Sequence, residues 1–410
     1  MGELIKLELK KLCRNKLSII VTLCCFFATI FLFSLPYLQY KAWDENGTML
    51  SMRDAVSYKK ECFAKLSGML TEERIAKDIQ EYQEIYRNPK NLMKERGGEI
   101  SFNDKIYYGY LSPRQSYLDM IGNTYFTNGM GYMNIPDISL KKEASFYEAR
   151  NEKVNTVVES NIYLSDAEKT YWLHKSTTIA GPYEYGYPLG WTNFGDTAQM
   201  LIISILGICI VIAPMFANEY QRGTDAIILS TRYGKSKMIY AKIIAASLFG
   251  TVVFILNAVI SLLLPLMTFG KAGGSLPLQI MDSTCPYALT FAGASFILIG
   301  IAYLVMVGLL SITLFCSAKM KSSFTVLIID ILIVFFPVFL GMGKSNLMQH
   351  ILHLLPYQAL SGLSLFKLYF SYSNGSVVIC LLGMIAFVYL LITIIVLPLA
   401  GRSFLKHQVY

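Results

Sequence analysis

Residues 197–217 read TAQMLIISILGICIVIAPMFA, twenty-one positions without an Asp, Glu, Lys or Arg. A helix needs about 20 apolar residues to cross the hydrocarbon of a bilayer. The pattern recurs, with further runs at 17–37, 239–268, 287–316, 324–342 and 377–400. The third and fourth runs exceed one crossing, so they must tilt or project beyond the lipid. The first has a basic flank but no small-residue cleavage site after it, and reads as a retained anchor.

Composition agrees. Of 410 residues, 54% are hydrophobic and 16% charged, with a mean hydropathy of +0.45. Soluble domains carry about 25% charged residues. The net charge of +8 is uneven: between Lys41 and Gly190 acids outnumber bases by two, so the basic excess lies in the apolar part. That distribution sets orientation and is not the clustered basic field that nucleic acid requires. Of eight cysteines, Cys62 and Cys285 lie in segments expected outside the membrane. They could pair, but one cysteine in a 150-residue insert is no disulfide scaffold, and two free thiols is the favoured reading.

Short-loop charge gives the topology. Thirteen Lys/Arg lie in the N-terminal segment, the loop after the second run, the loop after the fourth and the tail; three lie in the other short loops. Both termini are therefore expected in the cytoplasm and the insert outside, with Trp43 and Trp191 at its edges. The expected fold class is an all-α polytopic membrane protein. A cytoplasmic amphipathic helix (1–16) precedes the first transmembrane helix (17–40) and a mainly helical extracellular domain (41–194). Five more helices follow (195–400), with a cytoplasmic loop at 218–238 and an outer helical hairpin at 343–376, and then a tail (401–410). In the insert, Thr71 is placed to cap a helix with Ile75, Ile79, Tyr82 and Tyr86 on one face. Ser112-Pro113 reads as a helix start, Ser165 to Glu168 as a capping box, and Ile106 to Tyr110 as a weak strand. Pro356 would separate the two arms of the outer hairpin, tolerable at membrane depth only if protein covers the turn.

The loop at 218–242, NEYQRGTDAIILSTRYGKSKMIYAK, contains Gly234-Lys235-Ser236. A phosphate loop also needs glycine five residues before its Gly-Lys-Ser, to let backbone N–H groups surround the phosphates. Leu229 stands there, and Val338 stands there for the second instance at Gly343 to Ser345. The segment has another logic. Thr224 suits an N-cap, Asp225 the first turn and Arg232 the last, complementing the helix dipole, and Gly234 suits a stop. The result is a helix of about two turns that presents Ile227, Ile228 and Leu229 either to a partner protein or to the chain's own membrane helices.

Glu219, Gly223-Thr224 and Ile228-Leu229-Ser230-Thr231 resemble the coupling segment of bacterial ABC transporter permeases of the six-span export class. The resemblance extends to the basic amphipathic helix at 3–16, with Ile5, Leu9, Leu12 and Cys13 on one face, to six runs with an outer hairpin before the last, and to Tyr183-Glu184-Tyr185 and Gly190-Trp191 before the second run. The insert is longer than the outer loops of many such permeases. The resemblance implies two copies of a separate ATPase subunit that carry ATP and Mg, and no cofactor in this chain. It also implies a second permease, identical or homologous, and a place in the bacterial plasma membrane. ATP-driven closure of the ATPases would move the coupling segments and export a peptide, lipid or hydrophobic compound.

Other residues stay open. Asp330 lies within the fifth run, where a charge costs roughly 2.5–3.5 kcal/mol. It would bond to another helix, line a pathway or snorkel. Asn257 and Tyr303 are further candidates for polar packing or pathway lining. His350 and His353, spaced i and i+3, could share a metal, but amphipathic packing is favoured. Glu72-Glu73-Arg74 reads as a solvated first helical turn. Two competing functions remain: a membrane sensor or immunity protein binding an antimicrobial peptide or lipid through the insert, and a membrane enzyme, for which no nucleophile and base stand together.

Overall fold

The computed structural model describes residues 1–94, 100–126, 129–140, 145–224, 230, 237–340 and 345–405. Helix α1 (Gly2–Arg14) lies against the end of a bundle whose first helix is α2 (Lys16–Leu38). The chain then enters an insert, and returns through α8 (Leu189–Thr197), α9 (Leu201–Ile212) and α10 (Pro214–Gln221). The bundle is completed by α11 (Lys237–Thr268), α12 (Phe291–Lys319), α13 (Ser323–Leu340) and α15 (Leu381–Leu405); α14 (Asn346–Leu354) precedes the last. Among the described residues, six helical stretches are long and apolar enough to cross a membrane, with α8 to α10 counting as one.

Burial orders them. The second and fourth stretches are mostly buried, whereas the first, fifth and sixth expose most of their apolar surface, including Phe27, Phe324, Phe339 and Ile394. A ring of exposed large apolar side chains is sensible only against lipid or another apolar protein face. Backbones approach closely where side chains vanish. Gly362 has φ +68°, and a Cβ there would stand 2.2 Å from the carbonyl oxygen of Gly195.

Among the described residues, the longer helices of the insert are α3 (Met52–Leu66), α4 (Glu72–Arg87), α5 (Ser112–Tyr125), α6 (Phe146–Glu159) and α7 (Asp166–Ser176). The helix signals hold in part. Thr71 caps α4 through the Arg74 N–H, and Ile75, Ile79 and Tyr82 are buried with Tyr86 packed on them. Ser165 and Glu168 form the expected capping box, and Ser145 with Glu148 forms another. Glu73 is exposed as expected, whereas Glu72 is half-buried: its carboxylate accepts the backbone N–H groups of Phe146 (2.8 Å) and Tyr147 (3.0 Å), stabilising the positive end of α6.

Two readings are corrected. Ile106 to Tyr110 is helical, because the Asn103 side chain accepts the Ile106 N–H and nucleates a turn. Ser112 is the first residue of α5 and not its cap. A π-helical turn at Tyr107–Leu111 runs straight into α5, and the Ser112 N–H bonds to the Tyr107 carbonyl.

The segment expected as an outer helical hairpin keeps only its first arm, α14. Beyond Pro356 come one helical turn (Pro356–Ala359), a 3₁₀ stretch (Gly362–Lys367) and a hairpin pairing Ser371–Ser373 with Val378–Cys380. The insert covers it, as such backbone requires. Trp172 Nε1 donates to Ser371 Oγ (3.2 Å), which donates to Glu168 Oε1 (2.8 Å). The Cys285 thiol donates to the Phe366 carbonyl at 3.1 Å. Both rings of the His350 and His353 pair lie 4.5 Å from the Phe370 ring, the packing role expected of them.

All eight cysteines are free thiols, and both Cys62 and Cys285 are buried. Alkylating the unfolded chain without reductant is expected to add eight labels by mass spectrometry. Six labels would show a disulfide and contradict this arrangement.

Candidate functional site

The end of the bundle that carries both termini is built around a break in the second apolar stretch. Pro214 cannot donate to the turn before it, so α9 ends and α10 restarts. Ser317, on α12, repairs the break. Its hydroxyl oxygen accepts the N–H groups of Phe216 (3.0 Å) and Ala217 (3.1 Å), and it donates to the Ala213 carbonyl (2.6 Å). Tyr220 donates to the Ala318 carbonyl at 2.8 Å, and Phe404 packs on the Phe216 and Tyr220 rings. Helix α10 is thereby fastened to α12 and α15.

Beyond Gln221 the chain turns through Gly223, whose φ of +64° favours a residue without a Cβ. Thr224 folds back. Its N–H bonds to the Glu219 carbonyl at 3.0 Å, and its hydroxyl donates to Glu219 Oε2. The other Glu219 oxygen lies 2.8 Å from Lys242 Nζ of α11. Lys242 also contacts Glu8 Oε2 of α1 at 3.2 Å, and Lys11 bridges the other Glu8 oxygen at 2.6 Å. The Lys242 and Glu8 side chains are each only 3% exposed. One ammonium thus joins two carboxylates from separate elements.

Glu219, Gly223 and Thr224 are therefore brought to one junction, and Ser230 is exposed. Asp225, Ile227, Ile228, Leu229, Thr231 and Arg232 lie outside the described residues, as does Gly234 to Ser236. Two members of the junction, Glu8 and Lys242, escape the sequence reading. The signal for Glu8 is present: it falls at i+3 from Ile5 and i−4 from Leu12, on the apolar stripe itself. Leu12 is buried while Cys13, assigned to that stripe, is exposed. Lys242 is a lone cation in an apolar run.

Within the bundle the three polar candidates lie apart. Asn257 is fully buried, accepts from Thr29 Oγ1 at 2.7 Å and ties α11 to α2. Tyr303 meets Thr251 at 3.2 Å, between α12 and α11. Asp330 is 1% exposed, so it does not snorkel. Thr313 of α12 donates to its Oδ2 at 3.0 Å, and its Oδ1 has no partner among the described residues.

At the opposite end, a cavity of about 530 Å³ separates insert from bundle and is bordered by Asp119, Lys153, Asp282 and Lys367. Burial raises Asp119 above the usual carboxylate range, against the pull of the Tyr132 N–H, and lowers Lys153, with Asp282 opposing. Burial likewise lowers Lys175, whose ammonium lies 4.0 Å from the centre of the Tyr287 ring.

The family model described as ABC-2 family transporter protein matches residues 3–407. The chain belongs to the ABC-2 transporter family. No curated protein and no solved structure matches it. It is a multi-pass membrane protein with a permease's role in ABC transport, and its family implies a partner ATPase subunit.

The buried junction yields an expected outcome. Lys242→Met leaves Glu219 without its buried cation and Glu8 with Lys11 alone, and is expected to cost about 1–3 kcal/mol in detergent unfolding. Adding Glu8→Leu is expected to restore part of that loss, because the buried carboxylate that keeps only its Lys11 contact goes with it. Wild-type stability in the single variant would refute the junction.

Proposed function

We propose that this chain is the membrane-spanning permease subunit of an ATP-driven exporter, moving a peptide, lipid or hydrophobic compound across the bacterial plasma membrane. Both termini face the cytoplasm, and residues 41–194 form an extracellular domain. Two ATPase subunits bind ATP and Mg, and each receives a coupling helix from residues 224–232 of one of two permeases. The observation that carries this reading is the Glu8–Lys242–Glu219 junction, immediately before the coupling segment.

The mechanism follows from what the junction joins. A pull on the coupling segment reaches Glu219 within one turn of chain. Through Lys242 it reaches α11 and α1 together, and through Ser317 it reaches α12. The α8 to α10 stretch carries the displacement through the bilayer to its other end, where Gln199 Nε2 donates to the Tyr357 carbonyl at 2.9 Å, in the segment that precedes α15. Asp330, with one carboxylate oxygen unanswered, is the group that meets a polar part of the cargo or a facing helix as the bundle opens.

Two measurements test this. Replacing residues 224–229 by glycine and serine is expected to abolish co-purification of the ATPase while membrane insertion persists; survival of the complex would remove the coupling assignment. Glu219→Gln is expected to leave the complex intact and lower permease-stimulated ATP turnover by about fivefold or more, the scale of an ordinary coupling energy. A response to ligand that persists when the partner cannot turn over ATP would favour a sensor.

A further inference from the structure

The insert contains a buried positive charge without a counter-ion. Arg150, on α6, is 1% exposed. Its Nε donates to the Ser283 carbonyl at 3.1 Å, and its Nη1 donates to Asn151 Oδ1 at 2.8 Å and the Ser176 carbonyl at 3.4 Å. These acceptors are all neutral. Among the described residues no carboxylate stands within ion-pair distance, and Nη2 has no hydrogen-bond partner. The Tyr183 hydroxyl is also buried and also has no partner among the described residues. Burial raises its pKa above the ordinary phenol value, against the pull of Arg150, so it stays protonated and able to donate. Arg150 and Tyr183 border one cavity of about 700 Å³, within the range of small-ligand sites.

Buried ionic groups are normally paired, because an isolated charge is expensive away from water. Two unanswered donors on residues that line one cavity are a recognition element lacking its acceptor. We propose that this cavity binds the carboxylate group of a small amphipathic ligand. Charge selects the carboxylate: one guanidinium is neutralised by one monoanion, whereas a phosphate monoester carries about −1.5 to −2 and would leave an excess negative charge in the wall. Nη2 and the Tyr183 hydroxyl donate to its two oxygens after a side-chain shift into the cavity. Leu173 and Ile179 offer apolar surface to the rest of the ligand. The site needs no ATPase, and its binding is separable from transport.

The test is calorimetric titration of the purified full chain in lipid nanodiscs. The probes are N-acetyl-leucine, its uncharged amide and inorganic phosphate. The acid is expected to bind at least about tenfold tighter than the amide, the value of a charged hydrogen bond. Tyr183→Phe is expected to leave the unfolding midpoint without probe unchanged, since the hydroxyl has no partner there, and to weaken the acid about tenfold. Equal binding of acid and amide, tighter binding of phosphate, no acid-dependent heat at millimolar concentration, or full affinity in Tyr183→Phe would each overturn the assignment.

Discussion

Lys242 sits where an apolar side chain would ordinarily serve. Removing an ammonium and two carboxylates from water costs several kcal/mol per ion, and their attraction recovers that only with close geometry. The contacts of 2.8 and 3.2 Å supply it. What the arrangement achieves is specificity of placement. Hydrophobic burial is non-directional, so it would let α1 slide along α11. A carboxylate held to a single buried ammonium fixes α1 and the end of α10 to the same point on α11.

The break at Pro214 makes that fixation useful. A continuous rod from Leu189 to Gln221 would leave its end free to bend anywhere. A broken one bends at a defined place, and Ser317 supplies the hydrogen bonds that keep the break dry and closed. Kinks at proline stabilised by a neighbouring hydroxyl are what lipid tolerates, since each unsatisfied backbone group there is costly. The last turns of α10 are therefore tied to α12 and α11, and not independent of them.

The apolar runs were legible because their signal is cumulative: twenty uncharged residues outweigh any local ambiguity. Their cores match the six helices, with ends shifted by up to about eight residues where loops continue the helix, as at Leu189. The helix caps at Thr71 and Ser165 were legible for the opposite reason, being wholly local. What could not be read were contacts between residues far apart in sequence. Glu8 looks like one more charge on a basic helix until Lys242, 234 residues later, arrives beside it. Ser317 is one of several serines in apolar helices, and only the nearby break gives it a task. Tyr110 and its neighbours have strand-like composition, but β-propensity reflects a pleated, half-buried environment, and Asn103 started a helix first.

The same reasoning separates the two ends of the molecule. At the Lys242 end the charges are matched, and the structure needs nothing further to satisfy them. At the insert end Arg150 and Tyr183 are buried among neutral groups and leave donors over. Ligand occupancy there can shift the bundle only by its differential affinity for two arrangements. The insert provides a route for such a difference, because Arg150 holds the Ser283 carbonyl and Thr124 holds the Ser283 hydroxyl at 2.7 Å, eight residues before α12 begins. Helix α12 is also the one that carries Ser317 and Thr313. A shift of the 283 loop is therefore felt by the helix that closes the Pro214 break and answers Asp330, which places the insert and the Lys242 end on one mechanical element.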